Sequence, residues 1–306
     1  MLSGVLVVDK PAGPTSHDVV DRIRRVLGET RVGHTGTLDP FATGVLPVCV
    51  GKATRLVRFL AEGEKVYRAT VRLGFATTTD DALGEPLGAP REAKLDVDAV
   101  RRAAAGLTGD LRQVPPAYSA KRVGGRRMYD LARQGVVVER TAAAVTVHSL
   151  EVLAVADGQV DLEVRCSPGT YVRALARDLG DALEVGGHLT ALRRTRSGPF
   201  GIDAAVAWDD LAGRGRESLL PLSRLLGEMP AARVDARGAE ALRHGRDLAE
   251  DVVVAGFPRG EPPPRLRVMD ESGERLLALA VPRGFGPPVA GLPGSPTLHP
   301  DVVLSE

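Results

Sequence analysis

Gly33-His34-Thr35-Gly36-Thr37-Leu38-Asp39-Pro40-Phe41-Ala42-Thr43-Gly44-Val45-Leu46-Pro47 holds three glycines, three threonines and two prolines in fifteen residues. Glycine permits positive φ and close backbone approach, and proline fixes φ, so the stretch predicts a loop of defined shape. Such a loop holds one carboxylate, Asp39, in a chosen direction, with His34 five residues before it. By itself an aspartate before proline is most simply the start of a turn. A phosphate-cradling loop has little support in the sequence, because the Walker spacing and its Gly-Lys-Ser/Thr ending are missing.

The segments on either side predict regular structure. Residues 2–8 form an apolar run that reads as a buried strand, followed by a turn over Pro11-Ala12-Gly13-Pro14-Thr15. Ser16 is expected to cap a helix in which Val19, Val20, Ile23, Val26 and Leu27 recur at helical spacing, with Gly28 as its stop. Residues 44–50 read as a short buried strand, and residues 52–61 as a helix ended by Gly63. Between Lys65 and Leu73 the side chains alternate, which predicts a strand with Tyr67 on its more apolar face. Residues 96–107 suggest a capped helix with Val97, Val100, Ala104 and Leu107 inward. Val160, Leu162, Val164 and Cys166 alternate with Asp161, Glu163 and Arg165, and a helix from about Thr170 to Leu183 follows. Strands and helices mingle without a regular βαβ repeat, so the expected class is α+β, a mixed sheet flanked by helices. A boundary is expected near residues 227–230. Beyond it a hairpin over 266–281, flanked by proline-rich loops at 258–264 and 287–296, predicts a small β-rich appended domain.

The chain has 306 residues, enough for one large and one smaller domain. No run of about 18 apolar residues occurs, and no basic stretch precedes the apolar start, so neither a transmembrane helix nor a signal peptide is predicted. Cys49 and Cys166 sit in apolar or alternating stretches and read as core residues of a reducing, cytoplasmic compartment. They form no metal-ligand cluster. Net charge is only +1, but the positive charge is clustered. Arg112, Lys121, Arg122, Arg126, Arg127 and Arg133 face only Asp130 between residues 112 and 134, and Arg193, Arg194 and Arg196 form a second group. Both clusters fit RNA phosphates and solvated surfaces alike.

The fifteen-residue loop closely resembles that of the TruB-type tRNA pseudouridine synthases, which modify the T-arm uridine at position 55 of tRNA. Other segments carry the same resemblance. They are Lys10-Pro11-Ala12-Gly13-Pro14-Thr15-Ser16, Lys65-Val66-Tyr67-Arg68-Ala69, and Gly74-Phe75-Ala76-Thr77-Thr78-Thr79-Asp80-Asp81-Ala82-Leu83-Gly84, with Thr78 where aspartate is common. Further on come Gln113-Val114-Pro115-Pro116-Ala117-Tyr118-Ser119-Ala120, Cys166-Ser167-Pro168-Gly169-Thr170-Tyr171-Val172-Arg173 and Leu192-Arg193-Arg194. After Ala120 this chain has Arg122 where the family usually has lysine.

The resemblance implies a pseudouridine synthase fold, with a largely antiparallel sheet, in residues 1–228. It implies an RNA-gripping insertion at about 108–140 and a PUA-like RNA-binding domain at 229–306. It also implies roles. Asp39 is the expected nucleophile, Tyr67 the aromatic face against the target base, and Arg173 the counter-charge of Asp39. Tyr171 and Leu192 shape the uracil pocket, His34 contacts the flipped nucleotide, and Lys10 bridges phosphate or supports the Asp39 loop. No atoms are gained or lost in the isomerisation, so no cofactor or metal is expected. The expected partner is the tRNA T-arm stem-loop, met by a monomer without an obligatory protein partner or a membrane. Two other readings stay open: a tRNA-folding chaperone independent of catalysis, and a guide-RNA-dependent pseudouridylase.

Overall fold

The computed structural model describes residues 2–89, 91, 96–117, 122–123, 126–127, 140–285 and 295–304. In chain order the elements that position the site are β1 (Gly4–Lys10), α1 (Ser16–Leu27), β2 (Val32–His34), β3 (Thr43–Val50), α2 (Val57–Ala61) and β4 (Lys65–Leu73). They continue with α3 (Val97–Gly106), β5 (Gly109–Gln113), β6 (Ala143–Ala156), β7 (Gln159–Cys166), α4 (Val172–Ala182), β8 (Gly187–Ser197) and β9 (Val206–Ala207).

These strands belong to one ten-stranded sheet with the path β9-β1-β3-β8-β4-β7-β6-β5, on which β2 also pairs with β3. Only β1 with β9 and β8 with β3 run parallel; the other pairs are antiparallel. The mixed, largely antiparallel sheet flanked by helices therefore matches the expected class. One face carries Leu6, Val8, Leu46, Val48, Tyr67, Val71 and Leu162 into a core with α1, α3 and α4. On the other face Val5, Val7, Val45 and Cys49 pack with Leu56 and Leu60, and with Met269, Leu279 and Val302 of a second sheet. Burial in this apolar layer pushes the Cys49 thiol up to about 12.

The second sheet has six strands: β10 (Ala231–Val234), β11 (Leu248–Ala249), β12 (Val253–Ala255), β13 (Leu266–Met269), β14 (Leu276–Arg283) and β15 (Thr297–Val303). The predicted hairpin is β13–β14. A small separate core, including Ala232, Leu242, Val268 and Leu298, closes its far side.

Several local expectations change. Thr15, not Ser16, caps α1: its hydroxyl accepts from the backbone N–H of Asp18, whose carboxylate answers with a bond from the Thr15 N–H. Ser16 is turned inward instead, with a consequence for the site. The helix expected over 52–61 is a 3-10 turn, Gly51–Leu56, leading into the short α2. Val97, expected to point inward, is 39% exposed at the first turn of α3, where Val100 and Ala104 make the buried stripe. Of the expected insertion, β5 and a two-stranded ladder of Arg122–Val123 with Arg126–Arg127 are described. Lys121, Asp130 and Arg133, like residues 287–294 of the second proline-rich loop, lie outside the described residues. No described helix is long and apolar enough to cross a membrane.

Candidate active site

Asp39 stands on a loop fastened from below by three buried side chains. The Ser16 hydroxyl accepts from the Leu38 N–H at 2.8 Å and donates to the Leu38 carbonyl at 3.1 Å, so both backbone groups before Asp39 are held. Lys10 is fully buried at the end of β1 and donates to the carbonyls of Pro11 and Pro14, both at 2.8 Å, and of Pro40 at 3.1 Å. From β8, the buried Arg194 reaches the carbonyls of Val45 at 2.7 Å, Gly36 at 3.1 Å and Thr37 at 3.5 Å. The close approach of β8 to the loop requires glycine at position 44. Its φ is +99°, and a Cβ there would meet the Arg194 carbonyl oxygen at 2.2 Å.

Arg173, the second residue of α4, closes on Asp39 from above. Its Nη2 donates to Asp39 Oδ1 at 3.0 Å, and its Nε lies 2.9 Å from Oδ2, giving a two-point pairing. The remaining Nη1 reaches the Thr79 carbonyl at 3.2 Å and Asp81 Oδ2 at 3.3 Å. Asp81 is itself held by the Thr79 hydroxyl at 2.6 Å and the Leu83 N–H at 3.0 Å. One guanidinium thus joins two carboxylates. Burial pushes the Asp39 carboxyl above the usual carboxylate range, with Arg173 opposing the rise and the Asp81 charge adding to it.

Asp39, Tyr67, Tyr171, Arg173 and Leu192 line one cavity of about 340 Å³, together with Thr35, Lys65 and Arg194. Five of the seven sequence-derived candidates therefore converge from four separate segments. Tyr67 comes from β4, opposite Arg194 in the register, and burial raises its phenol above the usual range while Arg194 opposes the shift.

The other two candidates lie elsewhere. His34 ends β2 and accepts from the Gly36 N–H at 3.3 Å; it is not part of the cavity lining. Lys10 is not available to phosphate, because all three of its N–H groups are spent on carbonyls. Lys10→Met is expected to lower stability by about 3 kcal/mol, since buried carbonyls lose their donor. RNA affinity of the folded protein should stay unchanged. Thermal melting combined with filter binding checks this, and a selective loss of affinity would instead make Lys10 a phosphate ligand.

Two lining cations had no role in the sequence reading. Lys65 donates to the carbonyls of Ala61, at 2.9 Å, and Gly63, and burial lowers its ammonium to about 8. Its signal was present: positions 65 and 67 share a strand face. Arg194 read as part of a surface cluster but is 1% exposed. Its neighbour Arg193 is paired with Asp9 at 2.8 Å and 3.0 Å. Two of the three arginines in that cluster thus have structural partners.

Two solved structures share this architecture over most of the chain. A chain of an H/ACA RNP bound to a substrate RNA containing 2′-deoxyuridine is 28% identical with a TM-score of 0.72, covering 98% of this chain and 84% of that one. A chain of a Cbf5-Nop10-Gar1 complex is 31% identical with a TM-score of 0.69, covering 91% and 78%. Residues 24–172 match the TruB family pseudouridylate synthase N-terminal domain, and residues 173–227 match the tRNA pseudouridylate synthase B C-terminal domain. A tRNA pseudouridine synthase B of Thermobifida fusca (strain YX) is 48% identical over 305 residues, 96% of this chain and 100% of that protein. Its counterpart in Nocardia farcinica (strain IFM 10152) is 50% identical over 292 residues, 93% and 95% of the two chains. The chain belongs to the TruB family of pseudouridylate synthases, and is an isomerase. The junction between the two matched regions falls at Arg173, so the cavity is built from both.

Proposed function

We propose that this chain converts uridine to pseudouridine at position 55 in the T-arm of tRNA, with Asp39 as nucleophile. The observation that carries the reading is the two-point Asp39–Arg173 pair lining a cavity that also holds the Tyr67 ring. The target nucleotide leaves its stack at a cost of a few kcal/mol. Stacking on Tyr67, worth about 1–3 kcal/mol, offsets part of that cost. Tyr171 and Leu192 bound the base, and His34 contacts the flipped nucleotide.

The N1–C1′ bond breaks, the uracil turns, and C5 joins C1′ as the C5 hydrogen leaves and N1 regains a proton. Asp39 holds one fragment covalently through the ribose C1′ or the uracil ring, dividing one hard step into two. Arg173 keeps the carboxylate ionised inside a site that would otherwise protonate it. No electrons pass to a carrier, so the chemistry calls for no redox cofactor.

In this reading residues 1–228 are the catalytic domain, with the RNA-gripping insertion at about 108–140. Residues 229–306 form a PUA-like RNA-binding domain, and the protein acts as a cytoplasmic monomer. Relatives spanning nearly the whole chain are tRNA pseudouridine synthases, which favours a stand-alone enzyme over a guide-dependent one. Purified protein should form pseudouridine at position 55 of an unmodified tRNA transcript, mapped by carbodiimide treatment and primer extension. Inactivity on naked transcript, with activity restored by a guide RNA, would support the guide-dependent reading. Refolding of tRNA without any product would support the chaperone.

A further inference from the structure

The motif around Gln113 was expected to begin the RNA grip, yet the structure turns the Gln113 side chain the other way. Gln113 is 3% exposed at the end of β5, where pairing with Ala143 of β6 fixes it. Its Nε2 donates to the Tyr171 carbonyl at 3.1 Å, and its Oε1 accepts from the Tyr171 N–H at 2.8 Å. The primary amide thus satisfies both backbone groups of one residue, as a neighbouring strand would. That residue is the N-cap of α4 and has no side-chain cap of its own. Tyr171 lines the cavity, and two residues later Arg173 clamps Asp39.

A second fastening lies one helical turn further on. Arg177 donates to the Val114 carbonyl at 3.1 Å and to Asp80 Oδ2 at 2.9 Å. Asp80 is a buried non-glycine residue held at φ 58°, directly before Asp81. Strained backbone of this kind persists only where its surroundings over-determine it. Residues 113 and 114 are therefore bolted to both sides of the helix start that carries Arg173.

We propose that Gln113 is a positioning residue for the isomerisation: it sets the start of α4 so that Arg173 and Tyr171 meet Asp39 and the flipped base. The inference rests on the proposed tRNA reaction. Through Gln113 and Val114, the segment that resembles the RNA-gripping insertion is coupled to the catalytic ion pair.

The test uses the full-length protein and a T-arm stem-loop, with single-turnover rates, equilibrium affinity and thermal melting for Gln113→Ala and Gln113→Glu. The glutamate keeps an acceptor for the Tyr171 N–H but sets an oxygen against the Tyr171 carbonyl. Both variants should react about ten- to a hundred-fold more slowly, as expected for a sub-ångström to one-ångström misplacement of a catalytic group. Affinity should change less than two-fold. A merely structural glutamine would lower the melting temperature and leave the rate of the folded fraction intact. As a second readout, Gln113→Ala is combined with Arg173→Lys. If Gln113 acts through Arg173, the double variant loses much less than the product of the two single losses. Wild-type rates for both glutamine variants, or losses that multiply fully in the double variant, would overturn the proposal. Wild-type turnover in the same assay reports on the tRNA reaction, so failure of that reading is seen separately.

Discussion

Asp39→Asn is expected to reduce pseudouridine formation by at least about 10⁴-fold, the scale seen when a covalent nucleophile is removed. T-arm affinity should change little, because the aromatic face, the cavity wall and the surface arginines are untouched. The substitution is also expected to leave folding intact. The asparagine oxygen still accepts from Arg173, and Asp81 remains as the counter-charge of that guanidinium at 3.3 Å. The sign of the pH effect supports this. Burial raises the Asp39 carboxyl above 3.8, so ionising it opposes folding as pH climbs from 3.8 through the elevated value. The asparagine variant carries no such penalty and should be at least as stable as the wild type above that window. Urea unfolding at two pH values, alongside product assay and binding, measures all three expectations.

Arg173→Met should have the second-largest effect, on both stability and chemistry. It leaves Asp39 and Asp81 near each other without the cation that joins them, and breaking a buried pair in this way costs about 3–5 kcal/mol. The lower end applies, because one-third of the Asp39 side chain surface is still open. Catalytically, the variant removes the largest influence that opposes the rise of the Asp39 carboxyl. A nucleophilic Asp39 must be ionised, so under the proposed mechanism the wild-type rate should fall on acidification at a pH above 3.8, and the fall should move to still higher pH in Arg173→Met. Arg173→Lys keeps the charge, but an ammonium is not a planar fork able to span Asp39, Asp81 and the Thr79 carbonyl together. It should therefore restore stability better than rate. Rate-pH profiles of the three proteins check the order, and an unshifted acid limb in Arg173→Met would remove the electrostatic role assigned to Arg173.

How far the sequence could be read follows from what each segment shows locally. β4 was legible because its burial alternates residue by residue, and α1 because its apolar stripe and Gly28 stop are local signals. The central strand β8 was not. Register shifts at Leu189/Ala191 and Arg194/Arg196 break its period of two, and Arg194 looks like a surface residue until the Gly36–Thr37 carbonyls are seen above it. β6 was missed as well, because much of it forms a half-exposed hairpin with β7. Within the site, the loop chemistry pointed to Asp39, but its partner lies 134 residues away and only the motif resemblance brought Arg173 to it. Lys10, Gln113 and Arg193 show the opposite limit. Each is polar and falls within a recognisable motif, yet each is spent on protein partners, which spacing along the chain does not reveal.

Tritium release from a T-arm stem-loop carrying C5-labelled uridine at the target position reads the proposed chemistry at the bond it changes. The wild type should release close to one equivalent of tritium per stem-loop, and Asp39→Asn should release none above background while still binding the RNA. Release by Asp39→Asn at the wild-type rate would contradict the assignment of Asp39 as nucleophile.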